Sequence, residues 1–432
     1  MNALTLHEFD CVVSEAHGAA RHAVPARVFA WLESQCFHEG DDRPAWLRPA
    51  RVDGRRAVQV RHYAGVVQAP CGFQIEVLPK IGRHTSADEA RARLIDMLKC
   101  LGGFRHLQTA QADLSTVRMP LLDVFIRSFL ASVQSVVKRG VRNDYVTHQD
   151  NLAALRGKLL MAPHLTQNLA RRDRFFTAHD EYSPNRPENR LLHAALRAAI
   201  AISRAQENQR LARELCFVFA DVPPSSSIAG DLRAIRLDRG MAHYEAALDW
   251  ARLILQGFGP VTSAGAQQAP SLLFPMEQLF EAYVRKHLAS QLRDGHVLTA
   301  QASQHHLVSH RQAQWFRLKP DLLIRAGRNT RVVLDTKWKL LDASQNTARD
   351  KYQLSQADFY QLYAYGHHYL DGQGDLALIY PRTDAFAQAL PVFDFPCTPG
   401  MRMWVLPFCL KTKRLMLPAS LALDQVLQRP AD

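Results

Sequence analysis

Residues 316–338 read FRLKPDLLIRAGRNTRVVLDTKW. Two apolar runs, Leu322–Ile324 and Val332–Leu334, flank the turn-forming Gly327-Arg328-Asn329. Strands are therefore expected over about Phe316–Ile324 and Arg331–Trp338, joined as a hairpin. With the turn centred on position 328, residues whose numbers sum to 656 face one another, which sets Asp321 across from Asp335. Directly opposed side chains share a face with Cβ atoms about 4.5 to 5.5 Å apart. Lys337, two residues beyond Asp335, points to that same face. The same register sets Lys319 against Lys337, a like-charge pairing that needs a bulge or a bound phosphate to relieve it.

Two carboxylates so close repel unless a cation sits between them, and Mg²⁺, which prefers oxygen ligands and keeps several waters, meets that need. A metal held there would stabilise charge on an attacked phosphate, and a neighbouring lysine could orient or help deprotonate a water. Taken alone, Asp321, Asp335 and Lys337 read more readily as solvated strand residues forming a surface ion pair. The run Val332-Val333-Leu334 directly before Asp335 argues otherwise, since a charge ending a buried strand is costly without a partner.

Working outward, Pro275–Leu292 has the pattern of an amphipathic helix on which Glu277 and Glu281 stand one turn apart on one face. A strand is expected at about Val297–Val308. Downstream, Gln356–Leu370 is expected to be a helix with Gln361 and Tyr365 at i and i+4. By themselves the glutamates fit solvated helix positions, and Tyr365 fits a core aromatic.

Over the rest of the 432 residues, 47% apolar and 22% charged content describes a folding chain long enough for more than one core. The formal charge of +12 favours a polyanionic partner. Seven scattered cysteines form no CxxC pair, and His305-His306 and His367-His368 lack HExxH spacing, so neither a disulfide framework nor a transition-metal site is expected. The first ten residues do not read as a secretory signal, and no apolar run approaches a membrane span, so a soluble cytoplasmic protein without a membrane partner is expected.

Short apolar runs at Val58–Val60, Tyr63–Val67 and Phe73–Leu78 suggest paired strands, followed by a helix over Ser86–Cys100 with Ser86 as N-cap and Glu89 three residues on. Helices are expected over about Leu121–Lys138 and Glu188–Arg204, separated by a polar loop around Tyr182–Pro187. A segment rich in Gly, Ser, Ala, Gln and Pro, residues 257–270, marks a boundary. The expected fold is therefore α/β multidomain. It comprises a β-rich mixed domain over 1–115, a mainly helical region over 116–268, and a last domain over 269–432.

Glu277 or Glu281 on a helix, Pro320-Asp321, Asp335-Thr336-Lys337 and Gln361-xxx-Tyr365 together resemble the PD-(D/E)xK nuclease superfamily in its QxxxY variant. More narrowly, Met276-Glu277-x-Leu279-Phe280-Glu281-x-Tyr283, Leu334-Asp335-Thr336-Lys337-Trp338-Lys339 and Asp358-x-Tyr360-Gln361-Leu362-Tyr363-Ala364-Tyr365 resemble the McrC family, endonuclease subunits of McrBC-type restriction systems. Looser likeness comes from Glu76–Ile81, Leu155–Lys158, Asp180–Ser183 and Asn189–Leu192, whereas residues 1–50 and 386–432 carry no matching motif.

The resemblance implies a restriction-endonuclease-like core, a mixed sheet flanked by helices, over the last domain. It implies Mg²⁺-dependent cutting of 5-methylcytosine-containing DNA, with Asp321, Asp335 and Lys337 catalytic, Asp321 and Asp335 holding the metal, and Glu277, Glu281, Gln361 and Tyr365 in support. It further implies a GTP-hydrolysing AAA+ partner of the McrB type, joined through the amino-terminal region. The chain has no GxxxxGK[ST] loop of its own, which fits that division of labour. Two alternatives share these features: a stand-alone repair or recombination nuclease, and a non-catalytic DNA-binding assembly subunit.

Overall fold

The structure, a computed structural model, describes residues 3–15, 22–36, 45–82, 85–101, 119–256, 271–418 and 423–427. The expected boundary at 257–270 lies outside the described residues. The architecture is mixed α/β and multidomain. By contacts the chain forms two compact units, Met1–Leu107 with Ser263–Asp432, and Gln108–Thr262, so the amino-terminal and last segments share one unit.

The reason they share it is a strand pairing. In the first unit a four-stranded sheet runs Ala3–His7, Gln74–Leu78, Tyr63–Gln68, Ser271–Pro275. Its last strand pairs antiparallel with Tyr63–Gln68, from Ser271↔Val67 to Pro275↔Tyr63. Gly65 permits the close approach: it has φ +143°, and a Cβ there would lie 1.8 Å from the Leu272 carbonyl oxygen. A second four-stranded sheet runs Ala23–Val24, Cys11–Ser14, Arg55–Val60, Leu47–Val52. The expected helix is found at Ala87–Leu98, where the Ser86 hydroxyl accepts from the Glu89 amide at 3.2 Å.

Pro275 leads directly into the helix Met276–Leu288, which buries Leu279, Phe280, Tyr283, Val284 and Leu288. There follows a seven-stranded mixed sheet. Its path is His296–Ala300, Leu322–Ala326, Asn329–Thr336, Gly374–Pro381, Met401–Cys409 and Phe393–Asp394, with Arg414–Leu415 also on Met401–Cys409. The first three strands are antiparallel neighbours, while Asn329–Thr336, Gly374–Pro381 and Met401–Cys409 are parallel. Such central parallel strands are covered on both faces, which is why they appear as unbroken apolar runs. Each fully buried Val, Leu or Ile contributes roughly 1.5–3 kcal/mol. The helix Gln356–Tyr369 lies over this core, with Leu362, Tyr365 and Tyr369 packed among Leu323, Val333, Leu376 and Leu378.

The strand expected over Val297–Val308 is two strands of different sheets. His296–Ala300 joins the seven-stranded sheet and His305–His310 pairs with Ala313–Leu318 in a separate hairpin. The break falls at Gln301, whose φ is +53°. The strand expected over Phe316–Ile324 divides in the same way, Pro320 separating Leu318 from Leu322. Because the ladder ends at Leu322↔Leu334, neither Asp321 and Asp335 nor Lys319 and Lys337 are strand partners: the expected like-charge confrontation of the lysines does not arise, and Asp321 reaches the end of the neighbouring strand through Thr336 instead.

The second unit holds the helices Leu121–Arg139, Pro187–Ile202, Gln206–Val218, Ile228–Ala234 and Glu245–Leu255, and a three-stranded sheet of Asp144–Leu152, Phe175–Ser183 and Lys158–Leu159. Two loose sequence motifs are structural here. Gly157 has φ +71°, and a Cβ there would come within 2.3 Å of the Ala178 carbonyl. Buried Asn189 donates at 2.8 Å to the carbonyls of Arg142 and Pro184 and accepts from the Tyr244 hydroxyl at 2.9 Å. No helix among the described residues is long and apolar enough to cross a membrane.

Candidate active site

Asp335 is the last residue but one of the strand Asn329–Thr336, paired in register with Leu378, and only 2% exposed. Asp321 sits just before the neighbouring antiparallel strand. Its Oδ2 accepts from the Thr336 amide at 2.8 Å and the Thr336 hydroxyl at 2.7 Å, which fixes one carboxylate oxygen and leaves Oδ1 for other work. Lys337 continues the parallel pairing through its amide, 2.9 Å from the Ile379 carbonyl, and its Nζ lies 2.6 Å from Asp335 Oδ2.

The helix Gln356–Tyr369 completes the cluster. Lys337 Nζ donates to Gln361 Oε1 at 3.5 Å, Gln361 Nε2 donates to the Tyr365 hydroxyl at 2.7 Å, and that hydroxyl donates to the Lys319 carbonyl at 3.1 Å. Gln361 and Tyr365 thereby tie the lysine to the segment just before Asp321. Asp358, one turn before Gln361, lies 3.8 Å from Lys337 Nζ and accepts from the Tyr380 hydroxyl at 3.3 Å.

Of the two upstream glutamates, the fold brings only Glu281 to this cluster. Its Oε1 accepts from Gln301 Nε2, and the Gln301 amide donates at 2.9 Å to the Asp321 carbonyl. Glu277, one turn earlier, is exposed, and its charge acts on His62. Asp358, quoted above within the McrC-like run but given no role, and Gln301, not singled out at all, also join the cluster. Asp358 carried a signal, the i, i+3, i+7 spacing of Asp358, Gln361 and Tyr365, while Gln301 carried none.

The electrostatics are those of a carboxylate cluster short of positive charge. Burial raises the Asp335 carboxyl well above the usual range and the charge of Asp321 raises it further, with Lys337 opposing both. Glu281 is raised by burial and then by Asp321. Burial alone would lower Lys337, but Asp335, Asp358 and Asp321 outweigh it and hold its ammonium protonated. Among the described residues no group of three or more His, Cys, Asp or Glu is assembled to hold a metal. Two carboxylates with open oxygen positions nonetheless fit Mg²⁺, which commonly takes one or two protein carboxylates and completes its shell with water and phosphate.

Beside the cluster, the Trp338 indole donates at 2.9 Å to Glu8 Oε2, which also accepts from the Lys80 amide at 3.1 Å. Glu8 is fully buried, its Oε1 has no hydrogen-bond partner among the described residues, and burial pushes its carboxyl up to about 8. The strand end that carries Lys337 is thus anchored to the amino-terminal part of the same unit.

The profile of the family described as McrBC 5-methylcytosine restriction system component matches residues 58–381, well over half of the chain. The chain belongs to this McrBC family. All of Asp321, Asp335, Lys337, Gln361 and Tyr365 fall within the matched span. A chain in the half-complex from a tetradecameric assembly of Thermococcus gammatolerans McrB AAA+ hexamers with bound McrC shares the fold of this McrBC family member. Its TM-score is 0.70 at 18% identity, over 96% of this chain and 97% of that chain. A chain of the Thermococcus gammatolerans McrBC complex aligns with TM-score 0.47 at 20% identity, over 65% of this chain and 85% of that chain. No curated protein sequence matches the chain.

Proposed function

We propose that this chain is the McrC-type nuclease subunit of an McrBC restriction system, cutting DNA phosphodiesters with Mg²⁺ through a PD-(D/E)xK site of Asp321, Asp335 and Lys337. The observation that carries the reading is the convergence of these three side chains with Gln361 and Tyr365 at one strand end, in a chain of the McrBC family.

Asp321 and Asp335 are the residues to hold Mg²⁺, which when bound would acidify a coordinated water and offset charge on the attacked phosphate. Lys337 acts as a donor: its ammonium, kept protonated by the surrounding carboxylates, orients the attacking water or a phosphate oxygen. Gln361 and Tyr365 position that ammonium. Thr336 fixes the orientation of Asp321, and Glu281 contributes a further carboxylate on the Asp321 side.

The McrBC family membership and the likeness to a chain from an assembly of McrB hexamers with McrC support a second element of the reading: cutting is driven by a GTP-hydrolysing AAA+ partner. In a cleavage assay on 5-methylcytosine-containing duplex DNA with Mg²⁺, the wild-type chain is expected to cut only with the partner and GTP. Asp321→Ala, Asp335→Ala and Lys337→Ala should each abolish cutting while leaving partner binding intact. Retained cutting in all three variants would refute the site, and cutting without partner or GTP would favour a stand-alone nuclease.

A further inference from the structure

The hairpin His305–His310 and Ala313–Leu318 is inserted between two strands of the seven-stranded sheet but pairs with neither. Every residue from Leu307 to Arg317 is exposed, including Leu307 at 44%, Val308 at 45%, Trp315 at 49% and Phe316 at 67%. One face is accounted for: His305 lies edge-on to Tyr369 at 4.6 Å, and the Leu318 carbonyl accepts from the Tyr369 hydroxyl at 2.9 Å. The opposite face carries His306, Val308, His310, Trp315 and Arg317, with Val308 paired to Trp315.

Phe316 breaks the regular pattern. Its φ is +57°, a conformation that a bulky side chain rarely adopts, and the ladder skips the Leu307–Phe316 pair. Successive residues of a regular strand point to opposite faces, yet here the Trp315 and Phe316 rings meet edge to face at 6.3 Å, with His310 a further 5.2 Å from Trp315. The backbone is held in a strained form that gathers two large rings in solvent, where burial gives nothing back.

Charge indicates the occupant. From His296 to Arg331 the chain carries Arg311, Arg317, Lys319, Arg325, Arg328 and Arg331 against a single carboxylate, Asp321 of the candidate site. Exposed aromatics interleaved with arginines are suited to polyanions with flat apolar bases, the rings against bases and the guanidiniums on phosphates. The hairpin is also coupled to the site by chain and by hydrogen bond. Only Lys319 and Pro320 separate Leu318 from Asp321, and the Lys319 carbonyl is held by Tyr365.

We infer that the hairpin His305–Leu318 is a DNA-contacting wedge, in which Trp315 and Phe316 lie against the bases of duplex DNA beside the scissile phosphate while Arg311 and Arg317 hold its backbone. This rests on the nuclease reading above and adds to it a binding element distinct from the metal-binding carboxylates.

The test uses the full chain and fluorescein-labelled duplex DNA in EDTA, so that binding is read without cutting. Trp315→Ala and Phe316→Ala should each weaken affinity about tenfold. Arg311→Ala and Arg317→Ala should each lower the slope of log affinity against log salt by about one. Melting temperatures should be unchanged, since these side chains are exposed. In the wild-type chain DNA should quench the fluorescence of Trp315. Wild-type affinity in all four variants, or a wild-type chain that does not bind DNA, overturns the wedge. So does Trp315 quenching on addition of an AAA+ partner but not of DNA, which would make the hairpin a protein-docking element. The two readings fail separately: if Asp335→Ala still cuts with Mg²⁺ and the partner, the site fails, while the wedge stands or falls on the affinities of the four hairpin variants.

Discussion

Two neighbouring stretches of the chain invert the usual rule of burial. At the end of Asn329–Thr336 a carboxylate is 2% exposed, whereas in Ala313–Leu318 a tryptophan and a phenylalanine stand 49% and 67% exposed. Hydrophobic burial alone would have placed them the other way round. Each exception has its own support. Asp335 is held by the rigid middle of a sheet whose central strands are packed on both faces, and its charge is offset by Lys337. The aromatic pair is held by a two-stranded hairpin fixed along one side only, through His305 and Leu318. The rigid element suits chemistry that needs fixed geometry, and the projecting one suits contact with a large, variable surface.

The contrast can be broken from either side. The largest effect is expected for Lys337→Met. It should reduce Mg²⁺-dependent cutting by at least about a hundredfold and also lower the melting temperature, because Asp335 would be left buried without its cation. A variant that cuts normally would show that the buried pair is only structural. Next comes the hairpin, where the about tenfold loss of DNA affinity expected for Trp315→Ala should leave the melting temperature in place. A loss of stability instead would mean that the rings are packed, not presented.

A smaller effect is expected for Tyr365→Phe. It removes the hydroxyl that accepts from Gln361 and caps the Lys319 carbonyl, costing about 1–3 kcal/mol if that carbonyl goes unpaired. Because Tyr365 positions Lys337 through Gln361, the turnover rate should fall while the Michaelis constant changes little. An unchanged rate would remove Tyr365 from the site.

The smallest concerns Glu8, a buried carboxyl outside the site. Its folded value, about 8 against the ordinary 4.5 of a glutamate carboxyl, means that the folded chain holds a proton that the unfolded chain releases. Its contribution to stability is therefore fully present below about 4.5 and is lost as pH rises towards about 8. Glu8→Gln should melt higher than wild type at pH 8, by an amount on the order of a few degrees, and the gap should close at pH 5. A gap that widens towards pH 5 would mean that Glu8 is charged in the fold.

Much of the sheet was legible because its strands announce themselves as apolar runs, but the register was right through two errors that cancel. The turn is tighter than expected, Ala326 pairing with Asn329, and a bulge between Ile324 and Arg325 leaves Arg331 unpaired. Together these restore the expected pairings Leu322↔Leu334, Leu323↔Val333 and Ile324↔Val332. Nothing in Thr330-Arg331 signals a bulge. The choice between Glu277 and Glu281 was illegible for a different reason: both lie on one helical face, and only packing against Gln301 and Asp321 distinguishes them. The Glu8–Trp338 contact spans 330 residues, and no local pattern could announce it.

The most direct test of the central claim is the conservative change Asp335→Asn, assayed for Mg²⁺-dependent cutting of 5-methylcytosine-containing duplex with the AAA+ partner and GTP. It keeps the shape of the strand end and removes only the charge. Cutting should disappear while the melting temperature holds or rises, since a carboxylate already disfavoured by burial and by Asp321 has been neutralised. An Asp335→Asn chain that cuts like wild type would contradict the account.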